Sequence, residues 1–175
     1  MYIRPFEGRK PHLAADVFVA PGAVVIGNVT IGEGSSVWYN TVIRGDEGAV
    51  TIGRRTNIQD LSMLHMTGGR STLTIGDEVT VGHRVILHGC TIGDRCLIGM
   101  GAVIMDNAVI GEGSIVAAGA VVLENTVVPP RSLVVGMPAK VKKTLGPDEG
   151  ELFHFPVTAA HYRERAEQHR ELLDR

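Results

Sequence analysis

A branched aliphatic residue returns at every sixth position along most of this chain, and that period constrains the fold more than any other feature. Val19, Val25, Ile31, Val37 and Ile43 begin the series. After a slip of three residues it resumes at Ile52, Ile58 and Leu64, and past an insertion at Ile75, Val81 and Leu87. One residue is then dropped, and Ile92, Ile98, Ile104, Ile110, Val116, Val122, Val128 and Val134 complete it. Four places after many rungs stands a small residue, as at Ala23, Ser35, Ser62, Cys96, Ala102, Ser114 and Ala120, and glycine often follows the rung itself. Helical burial needs spacings of three and four, and a hairpin sheet needs alternation broken by turns of varied length. A short strand, a corner and another short strand satisfy a period of six. The rung points to the axis, the small residue fits the corner, and Gly or Asn supplies permissive backbone. Three hexapeptides close a triangular coil, and coils stack at about 4.8 Å, the spacing of paired strands. The expected architecture is all-β, a parallel β-helix shaped as a triangular prism whose coils stabilise their neighbours.

Composition agrees with that reading. Aromatics are only 5% of the chain and glycine reaches 22 of 175 residues, so the interior must be built from Val, Ile and Leu. The net charge of −2 marks neither nucleic acid nor an anionic membrane as a partner. No segment has the length and apolarity of a membrane span or a signal-peptide core, so a cytoplasmic protein is expected. Cys90 and Cys96 are too few for a disulfide framework and read as buried thiols. Three parts are expected: an irregular N-terminal cap over 1–13, a β-helix over 14–140, and a linker with a C-terminal helix over 141–175. GPDEG is the polar linker; the helix spans 157–173, with Thr158 as N-cap and Tyr162, Ala166, His169 and Leu173 on one face.

Labelling the walls a, b and c from Val19 onward places Ile43, Leu64 and Leu87 on wall b in successive coils. This holds if the slip and the insertion are only bulged corners. Side chains alternate along a strand, so the next residues, Arg44, His65 and His88, face outward. Two imidazoles then stand one above the other, close enough to reach one metal ion. Wall a offers Gln59 and Asp60 after Ile58, and His83 shares a column with Asp60 near a corner. His83 therefore belongs to a different wall from the His65/His88 pair. Packing wall b of one subunit against the His83 corner of the next would supply a third ligand. That contact is head-to-tail and closes with three copies, giving a homotrimer with interfacial sites. Three neutral imidazoles suit Zn2+, with Fe2+ or Co2+ chemically acceptable, and leave a position open for water. Gln59 can orient that water. Arg44 offers a fork to an anion or pairs with Asp46 or Asp60 across a subunit contact, and the two roles are compatible. His12, His154, His161 and His169 fit no column and read as surface residues, and Met63, Met66, Met100 and Met105 as core or interface filler.

The segments RGDEG, TNIQD, LH and VGHRVILHGCTIGD, in that order, resemble the gamma-class carbonic anhydrases and their close relatives. The resemblance runs from about residue 10 to about residue 140. It implies the left-handed form of the β-helix with a C-terminal α-helix, a trimer, and hydration of CO2 to bicarbonate by metal-activated water. It also places Asn57 and Glu47 near the metal, Glu47 as a proton carrier, and Tyr162 in the pocket lining. The chain departs from the best-known archaeal form at the insertion after His65, which reads MTGGRST and holds no carboxylate. Proton export then falls to Glu47, to buffer, or to no efficient carrier. Two rival functions share the scaffold: an acyl-CoA thioesterase or acyltransferase, and a metal-binding or assembly subunit without catalysis.

Overall fold

The computed structural model describes residues 1–146 and 155–173. Three columns of short parallel strands form the walls of a prism. Wall a runs Val19, Val37, Ile58, Val81, Ile98, Val116 and Val134, each rung in register with the next. Wall b stacks Val25, Ile43, Leu64, Leu87, Ile104 and Val122. Wall c stacks Ile31, Ile52, Ile75, Ile92, Ile110 and Val128. The result is a left-handed parallel β-helix of about seven coils. Its rungs form one continuous buried cluster. Each contributes about 1.5–3 kcal/mol by leaving water.

The corners obey a rule of their own: the residue three places after a rung has left-handed backbone. Gly22, Asn40, Leu61 and Arg84 occupy this place between walls a and b, and Gly34, Arg55, Glu78 and Arg95 between walls c and a. The expectation of Gly or Asn at corners is thus too narrow. Non-Gly residues there carry about 1–2 kcal/mol of strain each. Coil-to-coil backbone hydrogen bonds offset it: Arg55 N–H donates to Glu33 O and Arg84 N–H to Asp60 O, at 2.8 and 2.9 Å.

All faults in the period fall at one corner. Spacing stays at six from wall a to b and from c to a, and changes only between b and c, at 43–52, 64–75 and 87–92. The first fault is a bulge inside one strand, Val42–Ile52: Gly27 pairs with Gly45 but Val29 with Val50, so residues 46–49 stand out of the ladder. Residues 66–72 loop out one coil later, between Met63–His65 and Leu73–Ile75.

Both ends of the prism are finished by strands. Tyr2–Arg4 and His12–Leu13 pair in parallel with Val24–Ile31, so the first residues form a partial coil rather than the irregular cap expected. Ala139–Thr144 turns back antiparallel to Ser132–Gly136 and covers the last edge of wall a. Residues 147–150 of the GPDEG segment, and His154, lie outside the described residues.

Helix α1 (Phe155–Leu173) lies against the strands of wall a. It begins at Phe155, which puts Thr158 inside the helix and not at its N-cap; Pro156 sits in the first turn, where a missing N–H is harmless. Tyr162 and His169 pack edge-on against Trp38 at 5.4 and 5.1 Å between ring centroids. The Tyr39 hydroxyl and His169 Nδ1 are hydrogen-bonded at 2.8 Å. His169 is therefore a docking residue and not a solvated surface one, because its column is set by the helix and not by the coils. His12 and His161 are exposed. Met66 is core, whereas Met63 and Met100 are exposed. Cys90 and Cys96 are buried free thiols. Among the described residues no helix is long and apolar enough to cross a membrane.

Candidate metal centre

The outward-facing row of wall b carries two of the candidate ligands. Leu64 pairs with Leu87 and His65 with His88, so the strand register alone brings the two rings together. His65 Nδ1 and His88 Nε2 face each other at 3.3 Å. The opposite nitrogen of each ring is held by a carboxylate, His65 Nε2 by Asp46 Oδ1 at 3.1 Å and His88 Nδ1 by Asp106 Oδ2 at 2.9 Å.

Those partners decide the tautomers. An ionised carboxylate only accepts, so His65 Nε2 and His88 Nδ1 must carry the protons. Both carboxyls are held low. Burial opposes ionisation of Asp46, but its own backbone N–H, Arg44 and His65 overcome it. Burial likewise opposes ionisation of Asp106, yet hydrogen bonds from Ser71, His88 and Thr67 bring it down to about 2. His65 is kept from protonating by burial and then by the Arg44 charge. The nitrogens not engaged by carboxylates, His65 Nδ1 and His88 Nε2, are thus turned toward each other at 3.3 Å. Two nitrogens bound to one tetrahedral zinc at about 2.0–2.1 Å stand roughly 3.3–3.4 Å apart, so the donor pair fits such an ion.

Asp46 reaches His65 because the bulge after Gly45 throws it out of the ladder, and Arg44 two residues earlier pairs with its second oxygen. Glu47 follows on the bulge, and its carboxylate lies against Gly68 of the inserted loop.

His83 stands apart from this pair. Its Nδ1 meets Asp60 Oδ2 at 2.9 Å on the corner between walls a and b, which leaves Nε2 for another partner. Among the described residues no group of three His, Cys, Asp or Glu side chains converges on one point. A single chain thus holds two of the candidate ligands together and the third elsewhere.

The remaining residues singled out in the sequence lie on wall a and on the helix packed against it. Gln59 donates through Nε2 to Asn57 Oδ1 at 3.1 Å, and Asn57 donates through Nδ2 to Thr80 Oγ1 at 2.9 Å. Both amides are buried on wall a. Tyr162 packs on Trp38 from the helix on wall a, and burial, then the Asp60 charge, raises its hydroxyl pKa.

Sequence reasoning missed Asp106, Thr67 and Ser71. The signal for Asp106 was available: it follows His88 by 18 residues, one regular coil. Thr67 and Ser71 carried none, because an inserted loop has no coil register.

Comparison with known proteins follows the same lines. The family model described as bacterial transferase hexapeptide (six repeats) matches residues 10–45, 72–104 and 89–124. A protein named carbonic anhydrase from Geobacillus kaustophilus is 50% identical over 147 residues, covering 84% of this chain and 80% of that protein. Mitochondrial gamma carbonic anhydrase 1 of Arabidopsis thaliana is 48% identical over 103 residues, 56% of this chain but only 38% of the plant protein. A solved structure from Bacillus cereus, provisionally described as an acetyltransferase, superposes with a TM-score of 0.93 at 40% identity over 98% of both chains. On these matches the chain belongs to the gamma-class carbonic anhydrase-like family of hexapeptide-repeat proteins.

Proposed function

We propose that this chain is a metal-dependent carbonic anhydrase of the gamma type, interconverting CO2 and bicarbonate in the cytoplasm as a homotrimer with three interfacial centres. One observation carries the reading: His65, His88 and His83 each have one ring nitrogen held by an aspartate, and two of the freed nitrogens face each other. Carboxylate-backed imidazole is the usual arrangement of a metal-ligating histidine. In the proposed trimer, His65 and His88 of one subunit meet His83 of the next around Zn2+, with Fe2+ or Co2+ compatible with the same donors. Exposed apolar side chains favour such a contact. Met63 and Ile86 lie on wall b beside the His65/His88 pair, and Met100 shares the corner column of His83.

When bound, the metal supplies the Lewis acidity that makes water nucleophilic near neutral pH. The protein does the rest. Gln59, its amide nitrogen donating to Asn57, has its carbonyl oxygen left to accept a hydrogen bond from the reacting water and so aim its lone pair. Arg44, fixed by Asp46, offers its other N–H groups to bicarbonate. Asp60 holds the His83 ring, and Tyr162, braced on Trp38, lines the same side. Glu47, on the bulge, takes the proton onward to buffer.

Stopped-flow CO2 hydration by the zinc, cobalt and anaerobic iron forms tests the reading. Turnover is expected in at least one form and is lost on chelation; turnover in none overturns it. Metal analysis should find about one ion per chain, lost in His83→Ala. The description of the Bacillus cereus relative favours an acyl-transfer reading instead. Calorimetric titration with coenzyme A separates the two, and no binding is expected.

A further inference from the structure

We propose that Asp106 is a positioning residue that fixes the ring and proton of His88 and clamps the inserted loop, residues 66–72, as a rigid wall beside the metal centre. The inference rests on the metal reading above and adds to it a residue and a loop with assigned work. Asp106 Oδ2 accepts from His88 Nδ1 at 2.9 Å and from Thr67 Oγ1 at 3.0 Å. Its Oδ1 accepts from Ser71 Oγ and from Thr67 N–H at 3.4 Å. Four donors converge on two oxygens of a side chain only 8% exposed. Ionised carboxylate is the group that can accept all four; an amide turns one donor of its own into the cluster. The loop is internally closed as well, Arg70 and Ser71 N–H both donating to Thr67 O at 3.1 Å. One coil beyond Asp106, Glu124 pairs with Arg70 at 3.8 Å. The loop is thus pinned across successive coils of wall b, and its nearest fixed neighbour is a ligand. A loop tied in this way holds His88 still through Asp106, and it carries no carboxylate or imidazole to take up a proton.

Zinc affinity of the assembled full-length protein, measured by competition with a chromophoric chelator, tests this. Asp106→Ala is expected to bind about 10–100-fold more weakly. Asp106→Asn keeps an acceptor for His88 and the side-chain shape, and should fall between it and the parent. Ser71→Ala releases part of the loop without touching His88, and should lose less than about threefold, below the range for a lost outer partner. Cobalt-loaded protein gives a second readout: visible bands change in Asp106→Ala and persist in Ser71→Ala. Parental affinity and cobalt bands in Asp106→Ala would overturn the proposal, as would equal losses in Ser71→Ala and Asp106→Ala, which would make loop anchoring the whole effect. Should Asp106→Ala fail to fold, Asp106→Asn decides by the same criteria. A parent protein that takes up no metal would defeat the functional reading and this inference together, an outcome distinct from either.

Discussion

Next to His88 the backbone itself makes room for the carboxylate that holds the ring. Gly89 has φ +58°, and a Cβ placed on it would run into the Asp106 carboxylate and the Ser71 side chain. Gly89→Ala therefore meets strain and collision in the same atom. It should lower stability by about 1–3 kcal/mol and weaken metal binding with it, read by thermal unfolding and metal titration of the same sample. A second expectation concerns the thiols. Burial pushes Cys90 up to about 12 and Cys96 to about 11, from 9.0. Neither should react with a thiol reagent at pH 8 until the protein unfolds. Above pH 9 the unfolded chain releases protons that the folded chain keeps, so stability falls as pH rises, by about 1.4 kcal/mol per unit for each thiol. Denaturant midpoints at pH 8 and pH 10 check the sign. At this scale Arg44, His65 and His88 were legible because strand alternation dictates their direction. Asp106 was equally countable, but its importance appears only once the inserted loop is folded onto it. His169 was not legible at all, since no coil register governs a residue on the helix.

Among elements, the informative one is the corner between walls b and c. Its bulge delivers Asp46 to His65, its loop delivers Thr67 and Ser71 to Asp106, and its shortened turn after His88 needs Gly89. The walls were readable from the period because every rung has the same task, burial against the rungs above and below. The faults were visible as interruptions. Their shared corner followed from counting, but their shapes did not, because bulge and loop conformations depend on side-chain partners and not on periodicity. Helix α1 belongs to the same scale. Among the described residues its apolar contact is narrow: Tyr162, Ala166 and His169 meet Phe18, Trp38 and Tyr39 of the prism, and Arg170 donates to Asp16 O at 3.0 Å. Trp38→Ala removes the centre of that cluster. Loss of the ring should cost about 3–5 kcal/mol locally, more than such a narrow helix contact sustains. The helix is then expected to detach while the prism persists, seen as early proteolytic cleavage near the C-terminus and lost helical circular dichroism with the β signal retained. Simultaneous loss of both signals would show that helix and prism fold as one unit.

For the molecule as a whole, the separation of His83 from the other two histidines is the decisive feature. A chain that binds metal alone must bring three donors to one point, and among the described residues this one does not. The proposed head-to-tail ring of three would supply His65 and His88 from one subunit and His83 from the next at every contact. That arrangement can be tested without coordinates. His65→Ala trimers lack one ligand at all three contacts, and so do His83→Ala trimers, so both should bind metal poorly. Denaturing the two variants together in equal amounts and refolding them gives mixed rings. In any ring holding both kinds, going round once meets a single contact where an intact His65 faces an intact His83. About three quarters of randomly assembled rings are mixed, and each regains one centre in three, so metal content and CO2 hydration should return to about a quarter of the parent. Two variants denatured and refolded separately, then combined, should stay inactive until subunits exchange. Sites confined to single chains predict no recovery under either protocol, because every chain in the mixture still lacks a ligand of its own.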